Sequence, residues 1–74
     1  MSRIRDLMST SIVQAEPQTS VAQAAAAMVA AGVGSAIIMQ GSFLAGILTE
    51  RDVLRAAASG QDLSVSSVAD WMTQ

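Results

Sequence analysis

The sequence predicts an α/β (α+β) fold of two helices and short strands, and three observations predict it. An alanine-rich stretch from Val21 to Ala31 sits between the hydroxyls of Thr19 and Ser20 and the helix-ending Gly32. Two apolar runs, Ser35 to Met39 and Phe43 to Leu48, flank the turn signal Gln40-Gly41-Ser42. The second run stops at Thr49, where a helical pattern of Val53, Leu54 and Ala57 begins.

Each element has a local cause. Residues 3 to 8 fit a short helical turn with Ile4, Leu7 and Met8 on one side. Ile12-Val13 is a brief β-like pair, and Pro17 pushes Glu16 into extended conformation. Thr19 or Ser20 caps the helix from Val21 to Ala31. Its inward stripe is expected to include Val21, Ala24 or Ala25, Met28 and Val29. Alanines favour the helix and leave a smooth surface for close packing. Gly32 supplies the left-handed exit. The two apolar runs then form a hairpin. A second helix spans Glu50 to Ala58 and stops at Ser59-Gly60. Gln61 to Ser67 is polar and loop-like, and Val68 to Met72 fits another short helical turn, capped by Ser66 or Ser67.

Composition narrows the function classes. The chain has 74 residues, 51% of them hydrophobic, with one Trp, one Phe, no Tyr and no Cys. It is long enough for one small domain, with no disulfide or thiolate metal site to staple it. Such a chain is expected to hide apolar surface against a second copy. Net charge is -2, carried on four Arg, no Lys and six acids. No basic cluster supports nucleic-acid binding. The uncharged stretch between Glu16 and Glu50 is broken by Gln, Ser, Thr and Gly, whereas a membrane-spanning helix wants roughly 20 predominantly apolar residues in a row. The expectation is a soluble cytoplasmic protein. With no His and no Cys, nothing resembles a nucleophile–base pair or a metal cluster, so an enzyme is the least supported class.

The candidate site lies in Gly46-Ile47-Leu48-Thr49-Glu50-Arg51-Asp52. A buried strand that ends at a helix start exposes backbone N–H groups and the positive end of a dipole. Thr49 adds a hydroxyl there, and Asp52, one turn later, adds a carboxylate on the same face. That pair suits a sugar with a vicinal diol, since Asp accepts from ribose hydroxyls and Thr donates or accepts. Gly46 marks a close backbone approach within the strand, by a ligand or by a neighbouring strand.

An internal echo links the two ends. Ile4-Arg5-Asp6-Leu7-Met8-Ser9 resembles Val68-Ala69-Asp70-Trp71-Met72-Thr73 at a constant offset. A repeat would make residues 68–74 the opening of a second unit, either in a tandem array or in a single unit whose tail pairs with a partner.

These pieces, in this order, resemble a cystathionine-β-synthase (CBS) domain. The resemblance runs from Asp6-Leu7-Met8-Ser9 through Ser20-Val21-Ala22-Gln23-Ala24 and Gly32-Val33. It continues through both strands to Gly46–Arg55, and Val68–Thr73 resembles the start of a following repeat. It implies a single domain over residues 1–74, a β-α-β-β-α unit with a small three-stranded sheet and two main helices. Such units pair through their sheets into Bateman modules. Many pairs bind adenosine-containing ligands such as AMP, ADP, ATP or S-adenosylmethionine and regulate an attached or partner effector. Homodimerisation with another CBS unit is therefore expected.

Carried onto this chain, the family pattern makes Thr49 and Asp52 the ribose and phosphate-side contacts. Ser11, Ile12 and Val13 match the segment that meets adenine, and Ala36 and Ile37 match the opposite wall. Ile37 stands where many relatives carry Pro, and Gln40 where they carry Asp. Arg51 and Arg55 are the cations near the site, which favours a ligand with few phosphates. Several of these residues have simpler roles as well. Thr-x-x-Asp matches a capping box, and Thr49 is expected to cap the helix when the cleft is empty and to share its oxygen when it is full. Arg55 reaches Asp52 at i, i+3, a pair worth a few tenths of a kcal/mol. The Met residues fit gaps in the core, and Trp71 is an interface or core anchor. A structural pairing module without a nucleotide is the alternative function.

Overall fold

The first helix, α1 (Val21–Ala31), begins because every early N–H finds an acceptor. Ser20 is extended and its Oγ accepts from the N–H of Gln23 at 3.0 Å. The Val21 N–H donates to the Ser66 carbonyl at 2.8 Å and the Ala22 N–H to Leu63 at 2.9 Å. The helix start would otherwise leave these donors unpaired. The polar segment at residues 61–67 is thus a brace for α1 and not only a solvated loop; Ser66 within it is buried. Gly32 closes the helix at φ 71, and the Val33 N–H returns to Met28 O at 3.0 Å.

The computed structural model describes residues 12–74. The helical turn expected at residues 3 to 8, the first half of the internal echo, and Ser11 lie outside them. After α1, strand β2 (Ser35–Gln40) turns at Gly41, φ 63, into β3 (Phe43–Thr49). The hairpin is antiparallel, Ile37 opposite Ile47, with a register shift between Ile38 and Met39. The first strand, β1, is Gln14–Ala15, two residues beyond the expected Ile12-Val13. Parallel pairing with β2, Gln14 opposite Ile37, fixes its position, and Val13 joins the ladder through its carbonyl, which accepts the Ile37 N–H at 2.8 Å. The sheet is mixed, in the order β1-β2-β3. Helix α2 (Glu50–Ala58) follows β3 without a loop, and a 3₁₀ turn covers Val68–Asp70. Ser67 precedes that turn but makes no side-chain cap.

Alternation places Ala36, Ile38 and Leu48 in the core with Val21, Ala24 and Met28 from α1, Ala56 from α2, and Val68. Val29 does not join the stripe. It is 82% exposed, because Val21, Ala24 and Met28 already fill the sheet-facing side of an eleven-residue helix. Trp71 and Met72 pack against this core from the C-terminal side.

The tail then runs back along β3. The Ile47 N–H donates to Thr73 O at 2.9 Å, and the Thr73 N–H donates to Ile47 O at 2.8 Å. Gly46 permits this approach. A Cβ at that position would lie 2.8 Å from Met72 Sδ and 2.9 Å from the Thr73 carbonyl oxygen. Met72 can swing aside, but the backbone oxygen cannot move without breaking the Ile47 pair. Gly46→Ala is therefore expected to cost about 1–3 kcal/mol, the usual penalty of overpacking. Urea denaturation measures it, and amide exchange at Thr73 is expected to accelerate in the same variant.

Candidate functional site

The junction between β3 and α2 is built by Thr49 and Asp52. Thr49 is extended, φ -107 and ψ 168, so its backbone closes the strand and opens the helix. Its Oγ1 accepts the Asp52 N–H at 3.2 Å, and Asp52 Oδ2 accepts the Thr49 N–H at 3.0 Å. This reciprocal pair is a complete capping box. The Glu50 N–H donates to Gly34 O at 3.1 Å, which ties the junction to the entry of β2.

Asp52 is only 2% exposed. A buried carboxylate is tolerated when hydrogen bonds replace its water, and three do so here. Besides the Thr49 N–H, Oδ2 accepts from Thr73 Oγ1 at 3.3 Å, and Oδ1 pairs with Arg55 Nη1 at 3.0 Å. Burial pushes the Asp52 pKa up, but the hydrogen bonds from Thr49, Thr73 and Arg55 outweigh it and hold the group below the ordinary carboxylate value. The Arg55 guanidinium also lies over the Trp71 ring, 5.5 Å from its centroid, close enough for a cation–π contact. Arg55 thus stands between the helix and the C-terminal turn.

A cleft of about 330 Å³ opens beside the junction. Leu44, Ile47 and Thr49 of β3 line it together with Thr73 and Gln74 of the C-terminal segment. Its walls are largely apolar, with Thr49, Thr73 and Gln74 as the polar residues among those that line it. Asp52 lies behind Thr73 and does not line the cleft. The remaining sequence-derived candidates are spread more widely. Ile12 is exposed, and Val13 is partly buried against the core. Ala36 is a core residue opposite Leu48, whereas Ile37 lies on the other sheet face, opposite Ile47. Arg51 is exposed on the first turn of α2. The structure brings Thr49 and Asp52 together and sets Ile37 next to the Ile47 wall. It does not place the Ala36 side chain on that face.

Sequence reasoning missed Thr73 and Gln74 as cleft residues. One signal was present: Gly46 inside an apolar strand, read as a close backbone approach by a ligand or by a neighbouring strand. The approaching backbone is the chain's own tail.

Comparison with known proteins gives a consistent answer. The pattern of the CBS domain family matches residues 4–59. The CBS domain-containing protein YhcV of Bacillus subtilis (strain 168) is 35% identical over 63 residues, covering 84% of this chain and 45% of its own length. The chain thus spans less than half of that curated relative. Among solved structures, a cystathionine beta-synthase domain protein fused to a Zn-ribbon-like domain superposes with a TM-score of 0.81 at 29% identity, covering 86% of this chain and 93% of its own. A CBS domain protein from Pyrobaculum aerophilum, PAE2072, complexed with AMP, shares the fold with a TM-score of 0.78 at 20% identity, covering 88% of this chain and 51% of its own. Among the described residues, no helix is long and apolar enough to cross a membrane.

The direction of the Asp52 shift fixes a pH dependence. The folded pKa lies below the ordinary 3.8, so the ionised carboxylate stabilises the fold above that value. The contribution is lost as pH falls through the folded pKa. Asp52→Asn is expected to lower stability by about 1 kcal/mol or more at neutral pH, the usual cost of a damaged cap. The gap to wild type is expected to narrow under strongly acidic conditions. Urea midpoints across the acid range check this, and a gap that stays constant with pH contradicts it.

Proposed function

Because the chain belongs to the CBS domain family, we propose that it is a regulatory adenosine-nucleotide-binding unit that pairs with a second copy to form a ligand-sensing cleft. One observation carries the reading: Thr49, at the start of α2, lines an apolar cleft, and its backbone N–H is bonded to the Asp52 carboxylate. Apolar walls suit the faces of a flat base, and a few placed polar groups suit its sugar. The helix start favours an anion, but Glu50 and Asp52 in the same turn oppose a large negative charge. Among the described residues, Arg51 is an exposed cation on this turn, while Arg55 is held by Asp52 and the Trp71 ring. AMP therefore fits the junction better than ATP, with ADP between them and S-adenosylmethionine as a cationic alternative. The AMP held by the Pyrobaculum aerophilum fold neighbour supports this class of ligand. In this reading Ile12 and Ile37 supply the adenine side, together with the backbone at Val13 and Ala36, and Arg51 faces the phosphate.

Exposed apolar side chains support pairing. Phe43 is 76% exposed and Leu44 61%, both on the strand that borders the cleft. A chain of this size gains by covering such a patch. The paired unit would pass its state to an effector protein or domain, provided that the ligand binds one arrangement of the pair better than the other.

A second reading, a pairing module without nucleotide, is favoured by a different observation. Asp52 is closed to solvent and already accepts three hydrogen bonds from its own chain. Titration calorimetry separates the two. The nucleotide reading expects AMP to bind, ATP to bind more weakly, and Asp52→Ala to abolish binding while sedimentation still shows the pair. The structural reading expects no heat from AMP, ADP, ATP or S-adenosylmethionine up to low millimolar concentrations. Both expect self-association, so a monodisperse monomer in analytical ultracentrifugation at tens of micromolar contradicts both.

A further inference from the structure

Thr73 occupies the acceptor that a ligand hydroxyl would need. Its Oγ1 donates to Asp52 Oδ2 at 3.3 Å, while Oδ2 also takes the Thr49 N–H at 3.0 Å and Oδ1 takes Arg55 Nη1 at 3.0 Å. The Asp52 side chain is 3% exposed. Thr73, by contrast, is exposed and lines the same cleft as Thr49. Its bond is the longest of the three, and it exceeds the usual O–H···O range of about 2.5–3.0 Å. It is the contact that yields first. The Thr49 N–H is locked in the cap, and Arg55 is held by both charge and the Trp71 ring.

We propose that Thr73 is a gate residue of the cleft: its hydroxyl sits on Asp52 in place of a ligand hydroxyl, so that a nucleoside diol and the tail compete for Oδ2. The inference rests on the nucleotide reading above and adds to it a residue and a direction of coupling. The tail is also held by the two backbone bonds between Ile47 and Thr73. Displacing the hydroxyl therefore loosens residues 72–74 without releasing them outright. Occupancy of the cleft is linked in this way to the docking of a segment that packs on the core through Met72. Linkage is reciprocal, so a change that frees the tail's hold on Asp52 raises ligand affinity.

The test uses the full chain and AMP as the probe. Thr73→Val keeps the branched shape and removes the donor; Thr73→Ser keeps the donor. AMP is expected to bind Thr73→Val about threefold to tenfold more tightly than wild type, the effect of removing a competitor worth one net hydrogen bond. Thr73→Ser is expected to bind like wild type. Saturating AMP is expected to speed amide exchange at Thr73 in the wild-type chain. Equal or weaker binding by Thr73→Val, or slower Thr73 exchange with AMP, overturns the gate while leaving the nucleotide reading intact. Failure of AMP to bind wild type and both variants overturns that reading and the gate together.

Discussion

The carboxylate of Asp52 is the constraint around which this small domain is arranged. A charge removed from water must be met by donors, and a domain of this length has few to spare. Here the donors come from three places: the end of β3, the next turn of α2 and the returning tail. One buried group thus joins a strand, a helix and the C-terminal segment. Its hydrogen bonds outweigh its desolvation, so it remains ionised and keeps all three in place.

The same junction explains why structure and ligand chemistry are hard to separate here. A strand that ends at a helix start needs a cap, and Thr followed three residues later by Asp is an efficient one. A ribose needs a hydroxyl partner and a carboxylate acceptor, which are the same two groups. The fold makes the pair because the helix requires it, and a ligand can borrow the pair only by exchanging with one of the internal donors. Thr73 makes the longest of the three bonds, so the proposed exchange is assigned to it instead of to the cap.

The rest of the core is modest. Among the described residues, eight buried apolar side chains hold it, with Ile38, Leu48, Val21 and Val68 the largest of them. Much of the load passes to backbone pairing, including the brace from residues 61–67 onto the start of α1. The apolar residues left outside, Phe43 and Leu44 on the strand side and Val29 and Leu54 on the helices, show how little of its own surface so short a chain covers.

Local pattern alone accounts for α1 and α2, the Gly41 turn and its hairpin, the Gly32 exit, and the Thr49–Asp52 cap. All of these depend on groups within a few positions of one another, where propensity and side-chain reach decide the outcome. The position of β1 at Gln14–Ala15, the outward face of Val29 and the return of Thr73 to Ile47 and Asp52 come from packing across the fold. Those facts depend on pairing between distant segments, and local pattern cannot choose a partner across such separations. Gly46 registered that something approached the strand; packing supplied what it was.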